Sequence, residues 1–337
     1  MKNNYTVYHL HSDLSNGVTN IDSVTKYYEY IDCAKSLGMT AMGFSEHGSV
    51  LEWVHKKNKI EAAGMKYIHA EEFYITEELY KYPEVPNEMC ESMLGMDEAE
   101  IQSKIEDFME DKKYQIRDNY HCVLIAQNYN GVEELNELSS KSFLRDGHFY
   151  YNPRITIDEL INTSDNIIVT TACLGGILAS ENKPMQEKML KFCIDNKHRC
   201  YLEIQHHNDD KQKQYNIYLN KISQKYGIPL IAGTDTHCLN KKHYLGREIM
   251  QKSKDVKFSE EDNWDLLFKT YDELVEAYKK QGVLSEEVYL EAIDNTNKMA
   301  DHVEEFKLDY SKKYPKLYDD SLSVLKEKIM NGIKQRG

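Results

Sequence analysis

The 337-residue chain is 29% charged and 41% hydrophobic, enough to bury a core in one large domain or two smaller ones. No apolar run approaches the length needed to cross a bilayer, and a formal net charge of −14 argues against a free-standing grip on polyanions. The seven cysteines form no Cys-x-x-Cys pair, which argues against disulfides and a zinc knuckle. Residues 1–5 lack the apolar core of a signal peptide, so the cytoplasm is the expected compartment.

Taken in order, residues 5–11 read as a short strand in which His9 and His11, two positions apart, face the same side. A helix is predicted over 22–37, with Tyr27, Tyr28, Ile31, Ala34 and Leu37 on one face and Gly38 as its stop. Residues 39–45 form a buried strand leading into Glu46-His47-Gly48. A helix follows over 52–63, stopped by Gly64, then a strand over 66–69 leading into Glu71-Glu72-Phe73-Tyr74. This alternation predicts parallel β/α units. Residues 77–113 interrupt it as an acidic surface insertion, helical from Asp97 onward. The rhythm resumes with strands over 119–126, 166–171, 200–205 and 228–232, and helices over 131–143, 183–196 and 211–226. About seven repeats suit a closed barrel better than an open sheet. The barrel is expected over residues 1–255. A helical extension is expected over 256–337, with helices at 271–280, 285–305 and 321–334.

Polar residues gather where barrel enzymes place their chemistry, at the C-terminal ends of strands. They are His9, His11, His47, Glu72, Cys173, and Asp235 with His237, whereas His121 stands at the start of its strand. Imidazole, carboxylate and thiolate donors suit zinc, iron or manganese rather than calcium or magnesium. The donors outnumber what one tetrahedral ion uses, so two or three divalent ions are implied. Grouped ions clamp phosphoryl oxygens and acidify a bridging water, the apparatus of phosphoester hydrolysis. Taken singly, each residue has an ordinary structural reading: a buried cysteine, a surface carboxylate, a hydrogen-bonded core histidine.

The ordered motifs His9-Leu10-His11-Ser12, Glu46-His47-Gly48, Glu72-Phe73-Tyr74, Tyr120-His121-Cys122-Val123-Leu124, Ala172-Cys173-Leu174-Gly175-Gly176 and Asp235-Thr236-His237-Cys238-Leu239-Asn240 resemble those of the PHP domain (polymerase and histidinol phosphatase). More narrowly, they resemble the N-terminal PHP domain of the bacterial DNA polymerase III alpha subunit. The runs from Phe149 to Ile155, Tyr201 to His207 and Pro229 to Ala232 fit the same pattern. The resemblance implies an α/β fold, a distorted seven-stranded (β/α)7 TIM-like barrel, with a trinuclear metal centre of nine ligands. By motif, His9, His11, His47, Glu72, His121, Cys173, Asp235 and His237 fill eight of those places. Asp22 is the ninth candidate, with Asn16 as its rival because the loop after His11 is longer than usual. Glu46 stands where Asp is common and Ala70 where Gly is common; neither change removes a ligand. The stretch 307–337 looks like the run-up to a polymerase palm, whose catalytic aspartates lie outside this sequence.

The resemblance further implies a metal-dependent phosphoesterase, with 3′–5′ exonuclease action on a DNA 3′ end in replication. Glu72 would bridge metals, and Asp235 would hold one and orient the attacking group. Two alternatives stand beside this reading. One is a small-molecule phosphatase of the histidinol-phosphatase kind; the other is a non-catalytic module that stabilises a separately encoded polymerase core chain. Arg145 and Arg154 are candidate phosphate contacts, since guanidinium offers a planar fork to phosphate oxygens. His207, next to His206, is a further substrate-binding candidate. Most of the 25 tyrosines sit at helical spacing and read as core, with base stacking as the alternative.

Overall fold

Buried Tyr5, Val7, Tyr8 and Leu10 anchor an extended first segment. It is not a regular strand, because it pairs only through parallel bridges from Val7 to Met42 and from Leu10 to Thr236. The computed structural model describes residues 4–80, 87–109, 115–256 and 264–337. The chain continues with α1 (Tyr27–Ser36), β1 (Ala41–Phe44), α2 (Trp53–Ala62) and β2 (Lys66–Thr76). Gly38 and Gly64, both at positive φ, follow the two helix ends, as expected of a helix stop. Helix α1 starts later than the predicted 22, because the residues before it are engaged elsewhere. Ser23 donates through Oγ to the His237 carbonyl, and Thr25 Oγ1 pairs with His243.

Within the acidic insertion, α3 (Asn87–Ser92) and α4 (Glu98–Met109) are helical; its residues 81–86 and 110–113 lie outside the described residues. There follow β3 (Tyr120–Ala126), α5 (Tyr129–Ser142), a hairpin of β4 (Phe149–Tyr150) and β5 (Asn152–Thr156), and α6 (Ile157–Ile161). Then come β6 (Ile167–Thr170), α7 (Lys183–Asp195), β7 (Cys200–Gln205), α8 (Asp210–Tyr226), β8 (Leu230–Gly233) and α9 (Lys241–Ser253). Side chains cap the helix starts. Asn128 accepts from Gly131 N–H, and Asp209 accepts from Lys211 and Gln212 N–H, satisfying donors that the first helical turn leaves free.

The sheet order is β4-β5-β2-β3-β6-β7-β8, with β1 also paired to β2. The first segment bridges β1 on one side and the residue chain leaving β8 on the other. The circuit of first segment, β1, β2, β3, β6, β7 and β8 therefore closes as the expected seven-membered barrel. One strand breaks the predicted parallel pattern: β3 runs antiparallel to both β2 and β6. The reason lies in its connection. Beyond β2 the chain doubles back on itself, with Tyr80 bridged antiparallel to Gln115 and Ile116 N–H donating to the Leu79 carbonyl. The chain therefore enters β3 at the end where β2 finishes.

The barrel interior joins Tyr8, Ala41, Ile68, Val123, Ile125, Ile168, Tyr201 and Ile231 to Met299, Ala300 and Val303. Met299 and Ala300 come from the end of α11 (Glu286–His302), and Val303 is its C-cap; α11 follows α10 (Tyr271–Gln281). Lys66 Nζ donates to the Ala300 and Val303 carbonyls, Asn295 Nδ2 to the Leu230 carbonyl, and Glu304 N–H to the Gln127 carbonyl. These contacts fall where β2 and β8 begin and the reversed β3 ends, so α11 plugs that end of the barrel. The chain accordingly divides into Met1–Glu305 and Phe306–Gly337, rather than at the expected 255/256. The second unit holds α12 (Ser321–Arg336), capped by Asp320 accepting from Ser323 N–H and without a buried residue. Among the described residues no helix is long and apolar enough to cross a membrane.

Candidate metal centre

At the open end of the barrel, opposite the α11 plug, the predicted polar residues converge. His9 and His11 leave the first segment side by side, with Nε2 atoms 3.4 and 3.1 Å from Glu72 Oε2 and each 3.3 Å from Asp235 Oδ1. His47 Nδ1 approaches the same Glu72 oxygen at 3.2 Å. His121 Nδ1 lies 3.0 Å from Glu72 Oε1. His237 bridges the other carboxylates, 3.2 Å from Asp22 Oδ1 and 3.1 Å from Asp235 Oδ1. The reversal of β3 explains His121: the start of that strand lies at the end where its neighbours finish, so the residue is in place rather than misplaced.

Among the described residues three overlapping groups result, each with its donor atoms within 4.8 Å of one another: His9, His11, Glu72 and Asp235; His11, Asp22 and His47; His47, Glu72 and His121. Cys173 stands outside these groups and joins them through His121, with Sγ 3.5 Å from Nδ1. Asn16 does not compete with Asp22 for the cluster. Its Oδ1 accepts from Asp22 and Ser23 N–H and its Nδ2 donates to the Ser23 carbonyl, a clamp that holds the Asp22 backbone.

The donor chemistry fits divalent ions. His9 Nδ1 is 2.6 Å from Glu203 Oε1. A carboxylate only accepts, so Nδ1 carries a proton and Nε2 is the nitrogen turned toward Glu72 and Asp235. Ser15 Oγ donates to Glu46 at 2.6 Å and so accepts from His11 Nδ1 at 3.2 Å, which frees His11 Nε2 in the same way. The inward atoms His9 Nε2, His11 Nε2, His47 Nδ1, His237 Nδ1, Asp22 Oδ2 and both Glu72 oxygens are buried without a hydrogen-bond partner. Buried polar atoms rarely go unsatisfied, and here they point at one another. The His11 ring stacks on those of His47 and His237 at 4.3 and 4.6 Å.

Burial alone would raise the Glu72 carboxyl, but His121, His9 and His47 hold it well below the usual carboxylate range. Asp235 is likewise depressed against its burial, by His9, His11 and His237. Burial and the neighbouring His11 lower His47 to about 3. The Cys173 thiol is pushed up by burial and by Asp235 and Glu72, so its thiolate would need a cation beside it. Asp235 and Ala172 sit at positive φ (43° and 54°), conformations that non-glycine residues rarely adopt and that cluster at functional sites. A cleft of about 760 Å³ opens over the group, lined by Asp22, His47, His121, Cys173, Asp235 and His237.

The family model for the PHP domain matches residues 8–207, well over half of the chain. The chain belongs to the PHP family. DNA polymerase III subunit alpha of Borreliella burgdorferi is 27% identical over 314 residues, covering 90% of this chain and 24% of that protein. The corresponding subunit of Aquifex aeolicus is 29% identical over 255 residues, covering 74% and 20%. This PHP chain thus spans less than a quarter of the length of these relatives. A solved structure from Bifidobacterium adolescentis, of a candidate metal-dependent phosphoesterase, aligns with 69% of this chain and 87% of its own, at 14% identity and a TM-score of 0.36.

The predicted substrate contacts of this PHP domain fare differently from the cluster. Arg154 is fully buried. Its guanidinium is spent on the carbonyls of Ile116, Asp118, Gly147 and His148, so it offers no fork to a phosphate. Arg145 lies over the Phe149 ring at 5.0 Å and is not among the cleft residues. His207 is buried, accepts from Asp265 N–H through Nδ1 and stacks on Trp264 at 5.1 Å; only Trp264 of that pair lines the cleft.

Sequence reasoning missed the layer behind the cluster. Glu203 binds His9, Tyr8, Thr170 and Gln205. Gly233 must lack a side chain here, because a Cβ would lie 2.0 Å from Glu203 Oε1. Glu46 accepts from Ser12 N–H, the Ser12 and Ser15 hydroxyls and Lys56 Nζ. The available signal was a carboxylate inside the apolar strand 200–205, where an unpaired charge would be costly.

Proposed function

We propose that this PHP domain is a metal-dependent phosphoesterase acting on phosphodiesters, with trimming of a DNA 3′ end as its activity. The observation that carries this reading is the set of inward-facing donors left without partners around Glu72 and Asp235. His9, His11, Asp22, His47, Glu72, His121, Asp235 and His237 would hold two or three ions, with Cys173 added through its thiolate. Zinc, manganese and iron suit these donors. Such ions supply Lewis-acid charge to phosphoryl oxygens and acidify water. The chain itself fixes the geometry. Glu72 reaches the sets on either side of it, Asp235 joins His9 and His11 to His237, and Glu203 and Ser15 hold two imidazoles in the tautomer that faces inward.

A second observation favours a substrate larger than a phosphomonoester. The cleft shares Leu174, Ser180 and Trp264 with a second hollow of about 1160 Å³, lined by Lys183, Lys211, Tyr215 and Tyr218 and also by Glu181, Asp209 and Asp210. That run suits a polymer passing through. In the same reading, the exposed apolar row Leu322, Leu325, Ile329 and Ile333 of α12 would meet a polymerase core, within one longer chain or as a separately encoded partner.

The test is an assay with manganese or zinc, following a 3′-labelled oligonucleotide beside a panel of small phosphomonoesters. Nucleotide release that Asp235→Asn abolishes is the expected result. Hydrolysis of monoesters with no DNA trimming would favour a small-molecule phosphatase. Neither activity, in protein shown to hold its metals, would leave a scaffold for a polymerase chain.

A further inference from the structure

The β4–β5 hairpin pairs Phe149 with Pro153 and Tyr150 with Asn152, which leaves Tyr151 alone at the tip. Tyr151, which turns the chain there, sits at a φ of 62°, a conformation bulky residues rarely take. Its ring is nonetheless displayed: Tyr151 is 62% exposed. The guanidinium of exposed Arg117 lies over it at 4.1 Å, and the Tyr150 ring packs edge-on at 4.7 Å.

This exposed pair is tied to the rim of the metal centre. Asn152, next to Tyr151, lines the cleft, as do Asn119 and Tyr120 shortly after Arg117. Strand β5 pairs with β2 at Tyr74–Arg154, and the Tyr74 ring stacks on His47. Pro153 packs so closely on Gly48, the residue after His47, that a Cβ there would lie 2.6 Å from Pro153 Cγ. Buried Arg154 then binds the carbonyls of Ile116 and Asp118 on one side and of Gly147 and His148 on the other. The arginine expected to hold phosphate thus fixes the two segments that carry Arg117 and Tyr151.

We infer that Tyr151 and Arg117 form a stacking platform for a base of a single-stranded nucleic acid whose adjoining phosphate lies in the cleft. An aromatic face accepts any base, and a guanidinium beside it serves both the ring and the backbone charge. Such a platform gives a chain of net charge −14 a local hold on a polynucleotide without a basic face. It also separates polynucleotide ends from small phosphoesters. The inference rests on the phosphodiester reading above and names the substrate class of that site.

The experiment compares wild type, Tyr151→Ala, Tyr151→Trp and Arg117→Ala. Binding of a fluorescent oligodeoxythymidylate is measured by anisotropy, and turnover is measured on that oligonucleotide and on bis(p-nitrophenyl) phosphate. Tyr151→Ala is expected to weaken oligonucleotide binding and raise its KM by about tenfold, the order of one lost base–aromatic stack, with kcat and the small diester unaffected. Arg117→Ala shifts the same quantity in the same direction, and Tyr151→Trp restores it. Unchanged oligonucleotide affinity in Tyr151→Ala and Arg117→Ala overturns the platform, as does a wild type that hydrolyses the small diester but does not bind the oligonucleotide. A parallel loss of small-diester turnover in Tyr151→Ala also overturns it, because it would mark a distortion of the site. Failure of the wild type to hydrolyse any phosphoester strikes instead at the phosphoesterase reading, and the anisotropy comparison still decides the platform.

Discussion

Glu203 does not face the cleft, yet its oxygen sets which nitrogen of His9 faces Glu72. Glu203→Gln offers an amide where the carboxylate stood, weakening that control while keeping the volume. It is expected to lower metal affinity or activity by about 10–100-fold, the usual effect of losing such a partner, with little loss of secondary structure. Metal titration and circular dichroism on the same sample check this, and unchanged affinity would show that the His9 tautomer is set otherwise. A separate residue-scale effect sits behind the hairpin, where His148 pairs with Glu159 at 3.1 Å and Asp146 at 2.6 Å. The Glu159 hydrogen bond, then that of Asp146, raises the His148 pKa against partial burial, and Glu159 is held down at about 2. A histidine raised on folding stabilises fully below its ordinary pKa of about 6.5 and loses that contribution as pH climbs through the raised value. The gap in melting temperature between wild type and His148→Gln should therefore narrow from pH 5 to alkaline pH. A constant gap would contradict the ion-pair account.

Helix α11 illustrates where element-level pattern and fold part company. Its apolar spacing announces a helix, and one forms within a few residues of the predicted 285–305. What spacing cannot announce is that Met299 and Ala300 enter the barrel, because that depends on strands spread along the chain from Ala41 to Ile231. Deleting most of the Met299 side chain with Met299→Ala should cost about 2–5 kcal/mol, as buried large-to-small changes do, measured by urea unfolding. A chain ending at Glu305 should retain the cooperative unfolding of the whole, whereas one ending at residue 255 should lose it. Equal stability of both truncations would place the domain boundary before α10. The reversal of β3 was hidden for a related reason. Residues 119–126 carry the same apolar run in either direction, and only the doubling-back at Tyr80 and Gln115 decides it.

Across the molecule, the cluster was legible because its donors stand in short motifs at the ends of apolar runs, where closing a barrel brings them together. The second layer was not, because Glu203, Glu46 and Lys56 read singly as ordinary charges and gain meaning only from burial and partners. Arg154 misled for the opposite reason: a guanidinium's affinity for phosphate is visible in its name, whereas its enclosure by four carbonyls is not. The buried donors around Glu72 and Asp235 are expected to form a metal centre holding more than one ion. Elemental analysis of gently purified protein, beside the His9→Ala/His11→Ala variant, tests it most directly. More than one equivalent of zinc, manganese or iron in the wild type, lost in the variant together with some thermal stability, is the predicted result. One equivalent or none in the wild type, or a variant that keeps its metal, would contradict it.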